Sequence, residues 1–104
     1  MGPGLLESVY ETCLCHELKL RGVHFERQVI IPLHYKDLNL DSTFRIDLLV
    51  EKVVIVELKA IEKVEPVHLA QLLTYLRLEK LWLGLLLNFN VPVLKEGVFR
   101  VVNG

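Results

Sequence analysis

Apolar residues recur at three- and four-residue spacing between Leu5 and Arg21, at Leu6, Val9, Tyr10, Cys13, Leu14 and Leu18. That period predicts an amphipathic helix with this stripe turned toward a core. The preceding "GPG" is a turn or cap signal, and Gly22 is a natural stop. The pattern then becomes β-branched and partly alternating through "VHFERQVIIPLHYKD", which predicts a strand. Pro32 marks that strand as an edge or the site of a bulge. The turn "KDLN" leads to a second strand through Phe44 to Val50, and Val53 to Lys59 forms a third. Pro66, after Glu65, opens a second helix at its first position, continuing through "VHLAQLLTYLRLEK". Its core face is Leu69, Leu72, Leu73 and Leu76. "LWLGLLLNF" is nearly continuous in apolar residues, as in a strand covered on both faces. "KEG" makes a turn and "VFRVV" a last short strand. The order α-β-β-β-α-β, then β, predicts a mixed α/β domain with one sheet flanked by helices.

Polar residues interrupt this pattern at one place. Asp47 sits inside the second strand, and Glu57 and Lys59 inside the third. Strand side chains alternate faces, so Asp47 goes with Leu49, and Glu57 with Ile55 and Lys59. A three-residue turn, Glu51 to Val53, sets Asp47 directly across from Glu57; a two-residue turn sets them on opposite faces. Facing carboxylates repel, and their burial is unfavourable unless one holds a proton or a cation lies between them. One reading is a structural salt-bridge cluster on a solvated face. The other is an oxygen-ligand site for Mg²⁺ or Mn²⁺, with Lys59 pairing with the acids or positioning water and a substrate phosphate. Further polar groups favour the second. Gln71 and Tyr75 share a helix face, His68 lies one turn earlier, and Glu7 can reach the site from the first turn of its helix. The alternatives are an ordinary exposed face for the helical stripe and a simple N-terminal acid for Glu7.

Composition narrows the class. The chain has 104 residues, enough for one domain with its own core, and 52% are hydrophobic. No apolar run reaches the ~18 residues of a membrane span, and no signal peptide is visible. The excess apolar content implies a dense core and an apolar patch available to a partner. Cys13 and Cys15 project about 200° apart on a helix and cannot bridge each other. They are expected to pack in the core of a protein in a reducing, cytoplasmic compartment. A net charge of -1 argues against an electrostatic, non-specific DNA binder, but not against an enzyme with a metal ion.

Asp-x9-Glu-x-Lys on adjacent strands, followed by a helix with Gln-x3-Tyr, resembles the PD-(D/E)XK nuclease superfamily, particularly its RecB-like branch. "GLLESVY", with Gly4, Glu7 and Tyr10, is similar to the signature of the GxxExxY protein family within it. "FRIDLLVE", "VIVELKA", "PVHLAQLLTYL" and "LGLLLNFNVP" resemble that family's blocks, in its order, across essentially the whole chain. The resemblance implies a restriction-endonuclease-like core, with a four-stranded central sheet flanked by helices, in one domain over residues 1–104. It implies Asp47 and Glu57 as ligands of Mg²⁺ or Mn²⁺. Lys59 then positions or activates the attacking water and neutralises phosphate charge. Glu7 contributes a further acid. Gln71 and Tyr75 orient Lys59, water or the substrate backbone. His68, on the same side of that helix, is a candidate substrate contact beside Tyr75, against the plainer reading of a non-catalytic histidine. Two departures stand out. Family members carry another helix ahead of the glycine-rich turn, whereas this chain begins at that turn, which raises the expectation of a homo-oligomer formed through apolar surface. The proline of the superfamily name is Ile46 here. The expected activity is metal-assisted phosphodiester hydrolysis, on DNA before RNA. The competing readings are a catalytically silent module binding nucleic acid or a protein, and a purely structural domain.

Overall fold

The computed structural model describes residues 3–35, 38–91 and 94–104, with the side chains among them other than 3–5, 33–35, 38–43 and 94. Gly2 of the "GPG" signal, the Lys36–Asp37 turn and the Pro92 break lie outside these residues. The elements are α1 (Pro3–Leu20), β1 (Phe25–Tyr35), β2 (Leu38–Val50), β3 (Val54–Lys59), α2 (Pro66–Glu79), β4 (Leu83–Asn88), a 3-10 turn (Leu94–Gly97) and β5 (Val98–Val102).

Their order is the one the hydrophobic pattern predicts. The five strands form one sheet in sequential order, β1-β2-β3-β4-β5. The sheet is therefore larger than the four strands expected, because "VFRVV" pairs antiparallel with β4 from Leu83↔Val102 to Leu87↔Val98. Among the described residues only β3 and β4 run parallel, joined by α2 as crossover. Pro32 lies on the edge strand β1, where the pairing with β2 shifts register between Pro32 and His34.

Local chemistry fixes the helix ends. Gly22 adopts φ 69°, and the amides of Gly22 and Val23 donate back to Lys19 and Leu18. This closes α1 in a Schellman motif. At the end of α2 the same left-handed place is taken by Lys80, with the amide of Leu81 donating to Leu76. Gly84 allows α2 to lie close against β4, since a Cβ there would come within 2.9 Å of the Leu72 side chain.

The core has two layers. Ile31, Ile46, Ile55 and Leu86 pack under Leu72, Tyr75 and Leu76 of α2. Leu48, Val56 and Leu58 pack under Cys15 of α1. The second layer is open beside α1, over β2, β3 and β4. A groove of about 270 Å³ runs between Leu14 and Leu18 of α1 and Val50, Val54, Val56, Leu85 and Leu87 of the sheet. Beyond it Val98 and Val102 are exposed.

Helix α1 corrects the expected orientation. Its buried positions are Glu11 and Cys15, while Leu6, Val9 and Cys13 are exposed. The stripe at three- and four-residue spacing is therefore only half a core face: Tyr10, Leu14 and Leu18 are half-buried. Both cysteines are free, and only Cys15 is core. Among the described residues no helix is long and apolar enough to cross a membrane.

Candidate functional site

The β2–β3 hairpin turns through Glu51, Lys52 and Val53. Glu51 and Lys52 both adopt positive φ, at 52° and 61°, and the Val53 amide donates to Val50. This odd-length turn pairs Val50 with Val54, Leu49 with Ile55 and Leu48 with Val56. The next pair in that register is Asp47 with Glu57, but the ladder stops before it. The amide of Leu58 instead donates to Asp47 Oδ2 at 2.8 Å. The carboxylates therefore meet where β2 and β3 part.

A second irregularity sets the direction of Asp47. On β1, Phe25 and Arg27 face α1, whereas Val29 and Ile31 face α2. On β2, Phe44 and Ile46 face α2, whereas Leu48 and Val50 face α1. Regular alternation would keep each set on one side. Both strands switch face at residues opposite each other, Gln28 and Asp47. The register is the same on either side, with Arg27↔Leu48 and Val29↔Ile46. Gln28 has φ 52°, which a non-glycine residue rarely adopts. Asp47 thus leaves the Leu49 face that uniform alternation assigned to it and lines a cleft beside α1. Glu57 stays with Ile55, beside α2.

The cleft holds about 360 Å³ and is lined by Glu7, Ser8, Glu11, Gln28, Arg45, Asp47 and Leu58. Glu7 Oε1 accepts the Ala60 amide at 3.3 Å, which ties α1 to the end of β3. One turn later, Glu11 has partners at both oxygens. Arg27 donates through Nε and Nη2 to Oε2 at 3.0 and 2.7 Å, and Gln28 Nε2 donates to Oε1. Tyr10 stacks on Phe89, with ring centroids 4.2 Å apart. Asn88 takes the Ile61 amide and donates back to the Ile61 carbonyl, bracing the segment after Lys59.

Glu57 differs from Glu11. It is buried, and its Oε1 has no hydrogen-bond partner. Burial first, then the charge of Asp47 and the hydrogen bond between the two carboxyl groups, push its pKa up to about 9. Lys59 acts in the opposite direction through its charge. Glu57 therefore holds its proton at neutral pH. A buried, unpartnered carboxylate oxygen against a second carboxylate suits a hard cation. Asp47 and Glu57 offer two carboxylates only, and no group of three His, Cys, Asp or Glu residues placed to hold a metal occurs among the described residues. Such a two-carboxylate set fits Mg²⁺ or Mn²⁺, which complete their shells with water and phosphate oxygens.

The α2 residues separate. Tyr75 is buried, with its ring 5.2 Å from that of Phe44. Burial, then the charges of Glu57 and Asp47, raise its hydroxyl pKa. It belongs with Leu72 and Leu76 rather than with a solvated polar stripe, which corrects the partition of that helix. Gln71, one turn earlier, is exposed. His68 caps the helix start, where its Nδ1 accepts the Glu65 amide at 2.8 Å. Neither lines the cleft.

The profile of the PD-(D/E)XK nuclease superfamily matches residues 1–101. The chain belongs to this superfamily. Its five-stranded mixed sheet with two flanking helices is a restriction-endonuclease-like PD-(D/E)XK fold. The solved crystal structure of SSO0001 is similar in fold, with a TM-score of 0.68 and 16% sequence identity. The match covers 95% of this chain and 51% of that one, so this chain spans about half its length. No curated protein matches the chain. Superfamily membership points to a nuclease, a class that generally uses divalent metals and binds nucleic acid. Glu11, Gln28 and Arg45 line its cleft without having been singled out from sequence. The spacing of Glu7 and Glu11, one helical turn apart, was the available signal for Glu11; nothing in the residue type marks Gln28.

Proposed function

We propose that the chain is a divalent-metal-dependent nuclease that hydrolyses phosphodiester bonds in DNA, with RNA a poorer substrate. We place it in the GxxExxY family of the RecB-like branch, acting as a single nuclease domain over residues 1–104. The observation that carries this reading is the unpartnered, buried Oε1 of Glu57 set against Asp47. Asp47 and Glu57 hold Mg²⁺ or Mn²⁺. When bound, such an ion withdraws charge from a phosphoryl oxygen and acidifies water. The residues around it supply position. Leu58 holds Asp47 through its amide. Lys59, the last residue of β3, lies close enough to act on Glu57 by charge, and it orients the attacking water and offsets charge on the phosphate. Glu7, tied to Ala60, contributes a second-rank acid at the cleft. Tyr75 supports the pair from beneath, and Gln71 and His68 meet the substrate backbone at the exposed side of α2.

The test is cleavage of single-stranded, double-stranded and branched DNA and of RNA, with Mn²⁺ or Mg²⁺, by the wild type, Asp47→Ala and Lys59→Ala. The wild type should cleave at least one DNA substrate, and each variant should lose about a hundredfold or more in rate. Equal cleavage by all three proteins assigns the activity to a contaminant. Binding without cleavage by the wild type would favour the catalytically silent module.

A further inference from the structure

We propose that Arg45 anchors a backbone phosphate of the nucleic acid, next to the phosphate that is cut. This rests on the nuclease reading above. Arg45 lies on β2 two residues before Asp47, is exposed, and lines the same cleft as Asp47, Glu7, Glu11 and Gln28. Strand β2 switches face only after it, at Asp47, so the guanidinium and the carboxylate open to the same side.

Arg45 lines this acidic cleft and Arg27 meets one of its acids, and the two are used differently. Arg27 closes on Glu11 with two hydrogen bonds to one oxygen. Arg45 forms no ion pair with any carboxylate among the described residues, although three acids share its cleft. It nevertheless shares the cleft wall with Asp47, two residues further along β2. A guanidinium stays charged at all working pH values and presents a planar fork of donors that matches two phosphate oxygens. The need for such a group is physical. A cleft walled by Glu7, Glu11 and Asp47 repels a polyanion. The chain carries 12 Lys and Arg against 13 Asp and Glu, so net charge supplies no attraction. Substrate entry then depends on a few local cations, and Arg45 is the one that lines the cleft itself, without a carboxylate partner among the described residues.

The experiment uses the wild type, Arg45→Ala and Arg45→Lys. For each, steady-state cleavage with Mn²⁺ gives KM and kcat, fluorescence anisotropy of labelled DNA gives Kd across a salt series, and the melting temperature is read with and without Mn²⁺. Arg45→Ala should raise KM and Kd about tenfold, with a smaller change in kcat. The slope of log Kd against log salt should fall by about one, the loss of one phosphate contact. Arg45→Lys should lie between the two, because a point charge replaces a fork. The Mn²⁺-induced rise in melting temperature should be the same in all three proteins. Unchanged KM and salt slope would overturn the assignment. So would loss of the Mn²⁺ effect in Arg45→Ala, since Arg45 would then be holding the carboxylates rather than the substrate. A wild type that neither binds nor cleaves any nucleic acid overturns the nuclease reading, and Arg45 falls with it. Cleavage that Arg45→Ala leaves intact removes the Arg45 assignment alone.

Discussion

Under α2 the sheet buries Ile46, Ile55, Leu72, Leu76 and Leu86 to 1% exposure or less. Under α1 the same strands meet Glu7, Glu11, Arg27, Gln28, Arg45 and Asp47, and an apolar groove stays open beside them. One side is closed and uniform; the other is partly open and charged. The difference teaches that the sheet separates cohesion from chemistry. The gap between β2 and β3 is where the two sides meet: Asp47 reaches it from the α1 side and Glu57 from the α2 side. An acid backed by the closed side is dehydrated and leaves one oxygen without a hydrogen-bond partner, whereas Glu11, on the polar side, has partners at both oxygens. The same residue type is thus made a candidate ligand in one place and a brace in the other.

The largest expected effect tests cohesion. Leu76 is fully buried between α2 and the sheet, and Leu76→Ala should destabilise the protein by about 2–5 kcal/mol in denaturant unfolding. Leu18, half-buried on α1 beside the open groove, should lose less on the same change, about 1 kcal/mol. Equal losses would break the comparison, because the two faces would then contribute alike.

Next comes the buried acid. The ordinary value of Glu57 is 4.5, and in the folded chain it is pushed up to about 9. Below the lower value both folded and unfolded chains are protonated there, and the full stability is present. As pH rises from the lower value to the upper, the unfolded chain is ionised while the folded one keeps its proton, so stability is progressively lost, and the loss is complete above the upper value. Glu57→Gln cannot ionise. Without metal it should match the wild type near pH 4 and exceed it at pH 8 by on the order of a few kcal/mol. Thermal denaturation across pH checks this, and a gap that does not change with pH would sink it. Added Mn²⁺ should stabilise the wild type more at pH 8 than at pH 6, because binding releases the Glu57 proton. It should leave the variant unchanged.

Much of this was legible in the sequence, and what was hidden has a common cause. Strand and helix periods, Pro66 and Gly22 gave the order of elements because each acts locally. The hairpin register followed from parity, which brought Asp47 and Glu57 together at the gap. Parity failed at Asp47 itself, since nothing about Gln28 announces a positive φ and a double switch of face. Helix α1 was read by its apolar spacing, yet it buries Glu11 because Arg27, sixteen residues away, completes that carboxylate. Tyr75 looked like part of a polar stripe because its hydroxyl is visible in the sequence and its burial against Phe44 is not. In each case a long-range partner reversed a local preference.

Glu11→Ala tests the brace at intermediate magnitude. It strands Arg27 and Gln28 without their acceptor. Because Arg27 is partly exposed and recovers water, the expected loss is about 1–2 kcal/mol rather than that of a sealed ion pair. Chemical denaturation reads it. A loss near zero would mean that the α1 side contributes no order to the cleft.

Gln28→Gly has the smallest expected effect on stability and separates the two roles most cleanly. Glycine relieves the left-handed backbone at φ 52°, a gain of about 1 kcal/mol. It also gives up the hydrogen bond to Glu11 and adds freedom to the unfolded chain, each worth about 1 kcal/mol in the other direction. The net change should lie within about 1 kcal/mol of zero. Gln28→Leu keeps the strain and loses the bond, a loss of about 1 kcal/mol, so the two variants should be about equally stable. Function should not follow stability. Gln28 lies opposite Asp47 at the point where both strands change face, and the glycine lets that point relax. The Mn²⁺-induced rise in melting temperature should therefore shrink in Gln28→Gly while its metal-free unfolding midpoint stays close to that of the wild type. If the full Mn²⁺ effect survives, Asp47 is aimed by the Leu58 amide and the β2–β3 gap alone, and the strained residue on β1 is a consequence of the switch rather than its support.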